Sequence, residues 1–244
     1  MTSRKTPAVA TLLLLASTAG CGGGGGGHAV ANPTPSYAAP VPGSYNADQL
    51  TQALLTDIPG YIRSGPPQWG EYGSLAAVQN LNQMQQAVKL DKPQCASSAR
   101  AISQEKAVQT APSALVAFAK GDRQSLTETL MAVGPDVAAR QVRIRVPAVC
   151  RSFRVRVGHA WVSDTIVEPS GTRIGEGSRT AGVVTSPVTP AGVPAAGTGV
   201  HTWFVVLRSR GYLATITLYG PGVTRVEAER FARKAYQQAE RILP

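Results

Sequence analysis

A chain of 244 residues holds one large or two small domains, and its 43% hydrophobic content is enough for a buried core, which excludes a wholly disordered polymer. Charged residues make up only 16%, against roughly 25% in an average soluble domain, while 25 Gly and 18 Pro point to tails and loops around a compact unit. Lys and Arg outnumber Asp and Glu by 24 to 14, a net +10 that in a cytosolic protein would indicate nucleic acid.

The N-terminus argues against that compartment. Arg4 and Lys5 form a short positive region, and Ala8 to Ser17 is an apolar run centred on Leu12 to Leu15. Such a run suits a secretory signal and is too short to span a bilayer, which takes roughly 20 apolar residues. Thr18-Ala19-Gly20-Cys21 resembles the bacterial lipobox, in which small residues precede a Cys that is acylated and becomes the first residue of the mature protein; Thr18 stands where Leu is usual. Gly22 to Gly27, then Pro33, Pro35, Pro40 and Pro42, cannot bury a core and form a flexible tether. The plan is therefore a signal over 1–20, Cys21 and a tether over 21–45, and one folded domain over 46–244. Two or more acyl chains would hold Cys21 stably at the extracytoplasmic face of the cell membrane. Loss of 1–20 removes Arg4 and Lys5, leaving 22 basic and 14 acidic residues, net +8. An exported protein of that charge meets anionic lipid head groups and wall polymers, and nucleic acid is excluded as a partner.

Within the domain, Asn46 with Gln49 three residues on predicts a capped helix through Leu55, ended by Pro59-Gly60. Leu75, Val78, Leu81, Met84 and Val88 keep helical spacing behind Ser74 as cap. Ala114 to Ala119 and Ser125 to Val133 predict two strands around Lys120-Gly121-Asp122-Arg123, and Pro135-Asp136 opens a helix that stops before Val146-Pro147. Phe153, Val155 and Val157 alternate with Arg154 and Arg156, a half-buried strand continuing towards Trp161, Val162 and Ile166. Glu168 to Val200, rich in Gly and Pro, is expected to be a mobile insertion or a lid, with a brief strand at Val183-Val184. Trp203 to Leu207 and Tyr212 to Leu218 make a hairpin turning at Gly211. Thr224 and Glu227 then cap a helix whose stripe is Ala228, Phe231, Ala232, Ala235, Ala239 and Ile242, with Glu229 and Arg233 outside. The sum is an α+β domain: an antiparallel sheet covered by helices, ending in an amphipathic helix.

With Cys21 acylated, export makes a Cys95–Cys150 disulfide the default. Lys92-Pro93-Gln94-Cys95, a strand pair, Val149-Cys150-Arg151-Ser152-Phe153, a hairpin and a final amphipathic helix together resemble actinobacterial (mycobacterial-type) envelope lipoproteins related to the extracellular sensor domain of receptor Ser/Thr kinases. The likeness covers most of Leu54 to Leu243. It implies an α+β sheet with a cleft and a ligand-binding or sensor-like role without catalytic machinery. The kinase sensor domains carry two disulfides, whereas this chain has cysteines for one once Cys21 is acylated.

A search for chemistry returns little. His28 lies in the tether, and His159 and His201 have no carboxylate at a metal-binding spacing, so no metal or other cofactor is expected. Ser103-Gln104-Glu105-Lys106 matches the S-x-x-K of penicillin-interacting enzymes, but its companion motifs are missing; Ser163-Asp164-Thr165 is a near miss. No residue is assigned a catalytic role, and a wall-modifying hydrolase is kept as the alternative. Arg140, Arg143, Arg145, Arg151, Arg154 and Arg156 fall in seventeen residues with no acid between Asp136 and Asp164. Guanidinium groups favour phosphate and carboxylate, so these six are the candidate contacts for an anionic wall polymer or lipid, in a sensor or a structural lipoprotein. Whether they converge in space or radiate into solvent decides between a site and a solvated face.

Overall fold

The computed structural model describes residues 45–96, 104–158, 160–171, 173–189 and 199–243. The expected signal, Cys21, nearly all of the tether, His28, Ser103 and His159 lie outside them. All described residues belong to one unit, Ala39–Pro244.

Asn46 accepts from the Gln49 amide and the Gln49 side chain caps Asn46 in return, so α1 (Ala47–Ala53) starts where the sequence places it. Two short strands, β1 (Ile62–Arg63) and β2 (Gln68–Glu71), follow. Next come α2 (Ala76–Ala87) and β3 (Lys89–Leu90). Ser74 does not cap α2: its hydroxyl donates back to the Glu71 carbonyl, and Leu75 takes the cap position without a side-chain bond. Only Leu75 and Val78 of the expected stripe are buried, and Leu81 is exposed. A one-turn helix, α3 (Lys106–Gln109), leads into the hairpin of β4 (Pro112–Lys120) and β5 (Gln124–Met131). Helix α4 (Pro135–Arg143), with Pro at its first turn, then crosses to the far side of the sheet. There β6 (Ser152–Val157), β7 (Ala160–Val167), β8 (Gly177–Pro187), β9 (Val200–Ser209) and β10 (Tyr212–Gly220) meander back. Helix α5 (Arg225–Ile242) ends the described chain behind a Thr224–Glu227 capping box.

The result is a ten-stranded sheet in the order β1-β4-β5-β10-β9-β8-β7-β6-β3, with β2 also on β4, antiparallel throughout. Two sequence expectations are corrected. The run from Phe153 to Ile166 is two strands, because the chain reverses at Gly158 (φ 60°) and Val155 pairs with Val162. The Gly- and Pro-rich insertion contains β8, an eleven-residue internal strand between β7 and β9 that extends the brief strand expected at Val183-Val184. Its glycine has a packing reason: a Cβ on Gly182 would stand 2.6 Å from the Trp203 ring, which lies flat against the strand.

Ladder partners put their side chains on the same face. On one face Val116, Leu126, Leu130, Val205, Leu207, Ile216 and Leu218 meet Leu50, Ala53 and Leu54 of α1 and Ala228, Phe231, Ala232, Ala235 and Ala239 of α5. Full burial of each such aliphatic contributes roughly 1.5–3 kcal/mol, so this layer is the main source of stability. On the opposite face Met131, Val206 and Leu213 pack with Ala138 and Val142 of α4. The stripe predicted for α5 is corrected at two places: Ile242 is exposed, and Glu229 is buried, accepting from Arg225 Nε at 2.8 Å and Thr180 Oγ1 at 3.2 Å.

Candidate functional site

Past the end of α1, Leu55, Thr56 and Asp57 face the second half of α5 across a groove of about 680 Å³, lined there by Lys234, Tyr236, Gln237, Gln238, Glu240 and Arg241. Chemistry of both charges and two amides makes the groove polar. Its floor is tied to the sheet by Glu240, which accepts from Ser209 Oγ at 2.7 Å and Tyr212 Oη at 2.9 Å. Burial and the Glu240 carboxylate hold the Tyr212 hydroxyl well above the ordinary tyrosine range. The other wall is pinned from below: the Leu55 amide donates to Glu128 Oε2 at 2.7 Å. Glu128 sits in β5 with no exposure, its Oε1 has no hydrogen-bond partner, and desolvation pushes its carboxyl up to about 8. The groove can bind through many hydrogen bonds; within its lining the Thr56 hydroxyl donates to Asp57 Oδ1 at 3.0 Å.

Cys95 and Cys150 are joined, with Cα atoms 5.5 Å apart across a 55-residue separation. Cys95 follows β3 and Cys150 precedes β6, the strand with which β3 pairs, so the bridge fastens the far edge of the sheet. Lys92 Nζ adds to it by donating to the Val149 and Ser152 carbonyls.

The six arginines do not converge. Arg140 and Arg143 ride on α4, which covers one face, whereas register places Arg154 and Arg156 on the other. Arg140 is bound by Glu105 at 2.8 Å, Arg154 is bound by Asp91 at 3.0 Å, and Arg145 donates to the Val142 and Ile144 carbonyls. Arg151 stands apart from both groups, in the turn before β6. A seventh arginine, which the sequence does not single out, is largely buried: Arg179 donates to the Ile144 carbonyl at 2.7 Å, with Glu168 3.8 Å away. Glu168 in turn accepts from the Val146 amide at 3.1 Å, so the pair clamps the crossing segment after α4. The clamp leaves no pattern in the sequence, because its parts lie in separate elements.

Among the described residues no catalytic constellation assembles from the remaining candidates. Ser163 and Asp164 point to opposite faces of β7, and the Asp164 carboxyl accepts from Thr185 Oγ1 at 2.6 Å while burial raises its pKa. His201 lies within β9, paired with Val184 and Gly220. Among the described residues no group of three His, Cys, Asp or Glu could hold a metal ion, and no helix is long and apolar enough to cross a membrane.

No protein-family model and no curated protein matches the sequence. Among solved structures, the extracellular domain of PknH from Mycobacterium tuberculosis superposes with a TM-score of 0.53 at 12% identity, covering 81% of this chain and 98% of that one. The Rv0999 ortholog from Mycobacterium smegmatis gives 0.43 at 12% identity over 80% and 97%. The α+β fold expected from the resemblance to receptor-kinase sensor domains is thus the fold of such a domain.

Proposed function

We propose that this chain is a lipid-anchored, exported sensor-like domain of an actinobacterial cell envelope, held at the extracytoplasmic face of the membrane through acyl chains on Cys21 and acting by binding rather than catalysis. The observation that carries the reading is the fold shared with the extracellular domain of PknH, in a chain whose sequence has an apolar run over Ala8 to Ser17, a lipobox-like Thr18-Ala19-Gly20-Cys21 and a run of glycines. A ligand would dock in the polar groove between Leu55–Asp57 and α5, where a rigid helix supplies one wall and a pinned loop the other. Growth of producing cells with radiolabelled palmitate tests the anchor. Label on the wild-type chain and none on Cys21→Ser is the expected result; label that persists on Cys21→Ser overturns it.

A further inference from the structure

The far end of the sheet carries a surface that the polar groove does not use. Register aligns Lys89 of β3, Arg156 of β6 and Trp161 of β7 as direct ladder neighbours, so their side chains stand in one row on one face. All three are exposed, Trp161 by 38%. Behind this row the Arg154 guanidinium lies 5.8 Å from the centre of the Trp161 ring and is neutralised by Asp91. Lys89 and Arg156 form no ion pair among the described residues, so the row has two uncompensated positive charges beside a partly exposed indole. On that same face α5 packs over β8, β9 and β10, reaching β8 at Thr180, the opposite end of that strand from the Trp161 register.

We propose that this row is the surface the domain lays against an anionic lipid bilayer. Two cations beside an exposed indole match a lipid head-group layer better than a soluble polymer. Phosphates engage Lys89 and Arg156, while the indole ring, apolar in its body and polar at its N–H, sits at head-group depth. A hydrated polyanion would engage the cations and leave Trp161 without a role. The inference deepens the membrane reading above, and a tether of 24 residues reaches at most about 80 Å, enough to let either end of the domain meet the surface. Direct contact by the row does not itself depend on acylation.

The chain as the host produces it, processed or not, is mixed with vesicles of phosphatidylglycerol or of phosphatidylcholine containing brominated acyl chains. Trp161 emission is isolated by subtracting a Trp161→Phe variant, which removes the contributions of Trp69 and Trp203. At least twofold greater quenching in phosphatidylglycerol, abolished by 1 M salt and by Lys89→Glu with Arg156→Glu, is expected. Equal quenching in both lipids, or quenching that survives the double charge reversal, overturns the proposal. So does soluble polyphosphate shifting Trp161 emission while phosphatidylglycerol does not, an outcome that assigns the row to a polymer. A chain that takes up no palmitate at Cys21 leaves this measurement intact, so the two readings fail separately.

Discussion

Glu128 is the residue whose setting departs furthest from its ordinary chemistry. It lies in β5 between Val116 of β4 and Ile216 of β10, under α1, and no charged group on these elements or on α5 perturbs it. Burial therefore dominates and lifts its carboxyl from 4.5 to about 8, opposed only by the Leu55 amide. Between those two values the native state keeps a proton that the unfolded chain has released. Stability accordingly falls as pH rises through this window, by up to about 1.4 kcal/mol per pH unit, and levels off above it. Glu128→Gln keeps the acceptor for Leu55 and removes the titration. Urea melts of the two proteins should give stabilities within about 1 kcal/mol at pH 5 and a clear advantage for Gln at pH 8.5. Parallel pH profiles would show that Glu128 titrates alike in the folded and unfolded chain, and would overturn the burial-driven shift. The loss should be felt at the groove, because the wall that carries Thr56 and Asp57 hangs on the same carboxyl.

Among the elements, β3 is slight, as β1 is: two residues long, at an edge of the sheet, and paired only with β6. The disulfide compensates by closing a loop of 55 residues, worth roughly 4 kcal/mol on the chain-entropy account. Cys95→Ser with Cys150→Ser should cost an amount of that order. Amide exchange should accelerate first in β3 and β6, while β5, β9 and β10 keep their protection. Uniform acceleration across the sheet would mean that the bridge supports the whole domain. The capped helices and the β4–β5 and β9–β10 hairpins were legible in the sequence because local signals specify them: Asn46 with Gln49, Thr224 with Glu227, and Gly121 and Gly211 at positive φ. β8 was not, since Gly177 and Gly182 resemble loop glycines until Trp203 is placed against the strand. Glu229 was misplaced for a similar reason. A helical wheel puts it at the margin of the stripe, and only Thr180 from a distant strand shows that the margin is buried. The groove was illegible altogether, because Leu55–Asp57 and α5 are separated by most of the chain.

At the scale of the whole molecule, the strand order makes the domain indivisible. β5 finds its second partner only in β10, after α4 has crossed and five strands have meandered back. Such long-range pairing carries a large loop-closure cost before any contact offsets it. The layer that offsets it is completed last, by α5, whose Ala228, Ala232, Ala235 and Ala239 are fully buried over β8, β9 and β10, and by Leu243 behind them. A chain ending at Gly222 would expose that layer and should lose near-UV circular dichroism and cooperative melting together. Removing residues 21–44 deletes only Gly- and Pro-rich sequence ahead of the Asn46 cap and should leave Tm within about 2 °C. The contrast separates two kinds of terminus. If the truncation at Gly222 still melted cooperatively, α5 would be an appendage to the sheet, and the groove it walls could open without unfolding the domain.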